Sequence, residues 1–357
     1  MTSRQFASDN HAPILPEVIS HLTQTNTAHA PAYADDPTTE LAKQTILNFL
    51  GRAANSTDQV HFVPTGTAAN TLCLATLSDP WDAVICHEFS HLYTDECAAP
   101  EHLAHIKLLP TSGSDAKINL EHAHTHLQRA HGIHATQSKI ISITLPTELG
   151  TLYSIPELET IRQLADAHSL LVHLDGARFF NAIAALEIEP PALIKILQPD
   201  AISLGGTKAG ALATEAAVFL DFGRHNYLNH NPLKPEYLRK QAGHLISKSR
   251  YLAAQWLGLL ENKAALRAAH HANHMAGLLE SQLTNHNITI LRPRQANAVF
   301  IELWPDEAQA LFDQGWLFYD FLEPRQYRLM TSWDTEQSDI DRFITDLKTA
   351  TKHRLGG

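Results

Sequence analysis

Leu170-Leu171-Val172-His173-Leu174-Asp175-Gly176-Ala177-Arg178 and, about one helix and one strand later, Ala201-Ile202-Ser203-Leu204-Gly205-Gly206-Thr207-Lys208-Ala209-Gly210 decide how this chain is read. Each opens as a short, continuously apolar run and ends in reactive side chains. Runs of that kind are strands covered on both faces, as in parallel sheets flanked by helices. Ligands of such sheets bind beyond the carboxyl ends of the strands. The pattern therefore puts Asp175, Arg178 and Lys208 where a site is expected.

The same texture extends outward. Further strands are predicted at Val60–Val63, Ala83–Cys86, Ile106–Leu109, Lys139–Thr144 and Ala216–Leu220, beside Leu170–Leu174 and Ala201–Leu204. Between them lie helix-length segments, Ala68–Leu77, Leu120–Ala130, Pro156–His168 and Ala177–Leu186. This is an α/β chain with a mostly parallel seven-stranded sheet between helices. The large domain is expected over 45–235. After Pro235 a long helix, Tyr237–Glu261, and a second, Ala264–Leu283, precede strands at Ile288–Leu291, Val299–Leu303 and Tyr327–Thr331 and a final helix from Glu336. With an N-terminal helix near Glu17–Thr27, residues 1–44 and 236–357 form the expected smaller α+β domain.

Composition narrows the function. Of 357 residues, 44% are hydrophobic and 18% charged, enough for a packed core and too apolar for extended disorder. Lys plus Arg is 27 against 38 Asp plus Glu, a net charge of −11, without a basic cluster; nucleic acid and anionic membranes are poor partners for it. The first ten residues lack a signal-peptide core, and no apolar run reaches bilayer length. Cys73, Cys86 and Cys97 sit among apolar neighbours and are expected as unpaired, buried thiols, which points to the cytoplasm.

A third strand end completes the chemistry. Val63 leads into Pro64-Thr65-Gly66-Thr67-Ala68-Ala69-Asn70, a small-residue turn opening a helix, where backbone N–H groups suit a phosphate. Each segment has a plainer explanation: an N-cap, a structural ion pair, a loop lysine. Together they match the demands of pyridoxal phosphate: a lysine for a covalent link, a carboxylate for the ring nitrogen and a phosphate turn.

On those residues the chain resembles the threonine aldolases of the fold-type-I pyridoxal-phosphate enzymes, nearest their low-specificity and phenylserine branch. The resemblance runs through FASDN (6–10), AYADDP (32–37), PTGTAAN (64–70), VICHEFSH and TDECAAPE (84–101), TELGT (147–151), HLDGARFFNA (173–182), SLGGTKAG (203–210), KQAGHLISK (240–248) and RLMTSWDT (328–335). It implies that Lys208 bears the cofactor and Asp175 faces the pyridine nitrogen. Gly66, Thr67 and Thr207 would contact the cofactor, the first two at its phosphate. His91 would stack on the ring and, directly or through a water, serve as base. Arg178, Arg328 and Ser8 would hold the carboxylate of a small amino-acid substrate. The implied reaction splits β-hydroxy-α-amino acids into glycine and an aldehyde, with active sites at the interface of a homodimer or homotetramer. A β-lyase, aminotransferase or racemase would use the same lysine and aspartate. Two positions depart from the family: Leu145–Gly150 carries no histidine but has Glu148, and Ala34 stands where glycine is usual.

Histidine supplies the rival readings, since the chain has 23. His87-Glu88-Phe89-Ser90-His91 matches H-E-x-x-H, which on a helix binds zinc in metallopeptidases, yet here it follows directly on a strand. His122, His124 and His126, and His270, His271 and His274, are read as solvated helix faces rather than the sites of a metal-buffering protein. No metal is expected.

Overall fold

The computed structural model describes residues 5–53, 57–129, 132–221, 231–321 and 323–352. The expected large sheet is present. Its strands are β1 (Gln59–Val63), β2 (Asp82–His87), β3 (Lys107–Thr111), β4 (Gln137–Thr144), β5 (Leu171–Gly176), β6 (Ala201–Gly205) and β7 (Glu215–Phe219), in the spatial order β1-β7-β6-β5-β4-β2-β3. Only β7 runs against its neighbours.

Side chains alternate across this sheet as a pleat requires. Ile141, Val172, Leu174, Ile202 and Val218 enter the core on one face, with α7 (Ile155–Ala167), α8 (Phe179–Leu186) and α9 (Pro190–Leu197). Ile140, Leu171, Ala201 and Ala217 enter the other, against α3 (Gly66–Leu77). Every residue of α3 from Ala68 to Leu77 is buried. A helix enclosed on all sides needs apolar residues all round. Burying each of its leucines contributes about 1.5–3 kcal/mol before side-chain entropy is subtracted.

The smaller sheet has the order β8 (Ala298–Glu302), β10 (Glu323–Met330), β9 (Tyr319–Phe321), all antiparallel. It packs with α12 (Ala264–Asn285) and α14 (Gln337–Ala350) around Phe6, Trp316 and Phe343. Met330 N–H donates to Phe6 O at 2.8 Å and Phe6 N–H to Leu317 O at 3.1 Å, which ties the start of the chain to this layer.

Several elements differ from expectation. The helix predicted over Tyr237–Glu261 is two, α10 (Lys234–Gln241) and α11 (Arg250–Leu260). Gly243, at φ +78°, ends the first in the left-handed conformation that stops helices. Leu245 and Ile246 keep the apolar period running through the break and hide it. Ile288–Leu291 is no strand; Ile290 makes only an isolated bridge to Ile301. Helix α8 begins at Phe179 because Ala177 and Arg178 form the turn that follows β5. Helix α6 (Leu120–Arg129) is as expected except that residue 130 lies outside the described residues. Cys97 is exposed, unlike the buried Cys73 and Cys86. Among the described residues no helix is long and apolar enough to cross a membrane.

Candidate active site

The carboxyl ends of β1, β2, β4, β5 and β6 share one edge of the sheet, and antiparallel β7 adds its amino end to it. Thr144 pairs with Asp175, Asp175 with Ser203, and Glu215 with both Gly205 and Val63. Gly205 sets the distance between the two key segments: a Cβ there would meet Ala177 O at 2.3 Å. Only glycine lets the end of β6 press on the turn after Asp175. A cleft of about 370 Å³, open mouth included, lies over this edge; Gly66, His91, Asp175 and Lys208 line it together with Asn70 and Glu148. A larger cavity of about 710 Å³ beside α3 and α10 holds Arg239 and three histidines but neither a lysine nor a carboxylate.

Asp175 is buried at the floor. It accepts from Ala177 N–H at 3.1 Å and from Asn70 Nδ2 at 3.2 Å. Beneath it, His173 bonds Ser142 Oγ through Nδ1 at 2.8 Å and Ser203 Oγ through Nε2 at 2.9 Å. Burial drives the His173 pKa down to about 4, so the ring is neutral.

Lys208 rises from the turn that β6 leads into. Arg178 and then burial hold its ammonium below the ordinary lysine range, partly opposed by Asp9, Glu148 and Asp175. A lysine so placed is readily made nucleophilic. Arg178 itself is engaged side-on: Nε and Nη2 donate to the two oxygens of Asp9 at 2.6 and 2.9 Å. Burial raises the Asp9 carboxyl, but the guanidinium outweighs it and the group lies below its usual range. Arg178 thus offers an incoming carboxylate Nη1 rather than its fork. Arg328, on β10, lies over the rings of Phe321 and Tyr319 at 5.2 and 5.8 Å and has a buried Nε without a hydrogen-bond partner among the described residues. Burial and then Arg178 hold its pKa below the usual value. Ser8 caps a short helical turn at Asp9–His11, its Oγ accepting from Asn10 N–H at 3.2 Å.

His91 opens α4 (His91–Thr94) and donates Nδ1–H to Glu96 at 2.8 Å. That bond raises its pKa against the pull of burial. Asn70 Nδ2 donates to the same Glu96 oxygen at 2.6 Å, so one amide joins Glu96 to Asp175. At the rim, Thr65 caps α3, accepting from Ala68 N–H at 3.2 Å, and nothing lies within 4 Å of where a Gly66 Cβ would project. Thr207 Oγ1 accepts from Thr214 N–H at 3.2 Å. Glu215 accepts from Gly206 N–H at 2.6 Å, and burial lifts its pKa to about 7.

These features fit pyridoxal phosphate. The α3 N-terminus is open to an anion, a buried carboxylate lies on the floor, Lys208 is in reach of the cleft, and Asn70 Oδ1 is a buried acceptor without a partner. Sequence reasoning did not single out Asp9, Asn70, Glu96, His173 or Glu215. Asp9, Asn70 and Glu96 lie inside quoted motifs, but nothing in those motifs marks which residue turns inward. Glu215 was findable, as the first residue of a strand that must run against β6.

The zinc pattern dissolves. His87 ends β2 and His91 begins α4, so the imidazoles do not share a helix face. Both His87 nitrogens are committed, Nδ1 accepting from Phe89 N–H at 3.0 Å and Nε2 facing Gly113 O at 3.2 Å. Among the described residues no group of three or more His, Cys, Asp or Glu is placed to hold a metal ion. Nor are all helix histidines solvated: His126 reaches Pro110 O at 3.0 Å and His271 reaches Thr335 O at 2.7 Å. Arg239, on α10, is buried with an Nη2 bond of 2.7 Å to Glu236, and Lys248 lies between α10 and α11.

Residues 5–304 match the β-eliminating lyase family. A low-specificity L-threonine aldolase from a Pseudomonas species is 37% identical over 349 residues, 97% of each chain. The structure titled as Leishmania major threonine aldolase superposes with a TM-score of 0.87 at 27% identity, covering 96% of this chain and 98% of that one. Thermus thermophilus aspartate aminotransferase with maleate, 17% identical with a TM-score of 0.66, shares the fold over 95% of this chain and 89% of its own.

Proposed function

This chain belongs to the β-eliminating lyase family, in the company of the low-specificity L-threonine aldolases, and from that premise we propose how its residues divide the work. The protein is a fold-type-I carbon–carbon lyase that uses pyridoxal 5'-phosphate to cleave β-hydroxy-α-amino acids to glycine and an aldehyde. The cofactor, when bound, supplies an electron sink conjugated to the substrate nitrogen.

Lys208 would hold the cofactor covalently, and its lowered proton affinity favours the free amine that such a link needs. Asp175, fixed by Asn70 and Ala177 N–H, would pair with the ring nitrogen. Gly66 and Thr67 meet the phosphate at the α3 N-terminus, and Thr207 steadies the Lys208 turn through Thr214 N–H. His91, oriented by Glu96, would pack over the ring. Arg178 Nη1, Arg328 and Ser8 would hold the substrate carboxylate, and that grip would fix how the bonds at Cα are oriented in the cleft.

The observation that carries this reading is the convergence of Lys208, Asp175 and His91 on one cleft, with Arg178 close enough to depress Lys208. We assign the cofactor-holding domain to 45–235, an assembly of two or four chains, and the cytoplasm. Exposed Tyr33, Tyr93 and Leu103 support an interface. The test is product analysis of purified protein with cofactor, on L-threonine, L-allo-threonine and L-phenylserine. Glycine and aldehyde in equal amounts are expected. A cofactor-loaded protein that releases glycine from none of the three would be a transaminase, β-lyase or racemase instead.

A further inference from the structure

Glu148 and Glu215 are the carboxyl groups of the cleft that the assignments above leave without work, and Glu215 is already engaged by Gly206 N–H. Glu148 sits between β4 and α7 in a turn closed by Gly150 N–H to Thr147 O at 2.8 Å, with Gly150 at φ +70°. The Thr147 and Thr151 hydroxyls both donate to Asp115 O, at 3.2 and 2.5 Å. Leu149 is buried against Ala298, Phe300 and Met330. The turn is thus anchored on both sides of Glu148, and the half-buried Glu148 side chain is left to line the cleft with His91, Asp175 and Lys208.

Its carboxylate makes no hydrogen bond or ion pair among the described residues, yet its charge is felt at four groups around it: His91, Arg178, Lys208 and Arg328. A half-buried carboxylate amid such groups, engaged by no hydrogen-bond donor among the described residues, is open to a partner that enters the cleft. The substrate completes the picture. Its carboxylate is drawn to Arg178 and Arg328 and its nitrogen to the place of Lys208. The third arm, which carries the β-hydroxyl, is left to the wall formed by Glu148 and His91. His91 is already engaged by Glu96 through Nδ1 at 2.8 Å, whereas neither Glu148 oxygen is engaged among the described residues and the side chain lines the cleft.

We propose that Glu148 is the catalytic base that takes the β-hydroxyl proton, with His91 confined to packing and orientation. The inference rests on the aldolase reading. As the O–H proton passes to a Glu148 oxygen, its bonding pair becomes the second bond of the aldehyde carbonyl. The Cα–Cβ bond breaks, and its pair stays with Cα and the electron sink. A proton returned to Cα then gives glycine, and no oxidant or reductant is consumed.

The experiment compares holoenzyme with E148Q and E148D. For each, the rate of threonine cleavage, the exchange of the glycine α-proton in deuterated water, and affinity for the cofactor are measured. Exchange uses the carboxylate grip and the cofactor but has no β-hydroxyl. Glu148→Gln is expected to slow cleavage about 10²–10⁴-fold while exchange and cofactor affinity change less than about threefold; Glu148→Asp recovers part of the rate. Cleavage by E148Q within a few-fold of the parent overturns the proposal. So does equal loss of exchange, which would make Glu148 a counter-ion to the arginines. A parent enzyme that cleaves threonine while E148Q does too sinks only this inference and leaves the aldolase reading standing.

Discussion

Acidification from pH 7 to pH 5 tests the buried imidazole beneath the site. His173 is fully buried between Ser142 and Ser203. Burial takes its pKa from 6.5 to about 4, with the charge of Asp175 opposing only in part. The unfolded chain therefore binds a proton that the folded chain refuses, and stability falls as pH falls. The contribution is whole above about pH 6.5 and gone below about pH 4. At about 1.4 kcal/mol for each pH unit it amounts to about 3 kcal/mol in all, of which about 2 kcal/mol is lost by pH 5. Urea midpoints at pH 7 and pH 5, on the parent and on His173→Gln, measure it. The comparison is of pH slopes within each protein, so a variant that is weaker throughout still reports. The parent should lose about 2 kcal/mol more than the variant over this range. Equal slopes would mean that His173 is protonated in the folded protein, and a cation under Asp175 would compete with the cofactor nitrogen for its charge.

Two further outcomes follow from contacts of the same kind. Asp9→Asn leaves the Arg178 guanidinium buried without its counter-ion and should cost about 3 kcal/mol in urea unfolding; a loss under about 0.5 kcal/mol would show that water, not Asp9, compensates Arg178. Ala34 occupies φ +75°, so the loop keeps its glycine-like shape at the expense of strain rather than shifting. Ala34→Gly should gain about 0.5–1 kcal/mol and raise the melting temperature, whereas an unchanged or lower value would mean the strain is relieved elsewhere.

The parts of this fold legible in the sequence are those where one rule acts alone. A strand buried on both faces must be largely apolar, and the central strands of the large sheet could be read that way, whereas edge strand β3 carries the exposed Lys107. Lys208 and Asp175 could be read because a charged residue closing an apolar strand has few structural explanations. The break between α10 and α11 stayed hidden because Gly243 interrupts the backbone while the apolar spacing continues. Glu96 and Asp9 stayed hidden for a different reason. Their importance lies in partners 26 and 169 residues away in sequence, through the Asn70 amide and the Arg178 guanidinium. Local pattern holds no record of such pairings. The H-E-x-x-H match shows the converse: the pattern was intact, and secondary structure alone decided that its imidazoles face different partners.

The central claim is that Lys208 carries the cofactor in the cleft floored by Asp175. Borohydride reduction of the holoenzyme, followed by proteolysis and mass spectrometry, tests it directly, because reduction fixes the cofactor to whichever amine holds it. The account predicts one modified lysine, Lys208, with the label lost in Lys208→Ala. A label on any other lysine, or none on a yellow, active protein, would contradict it.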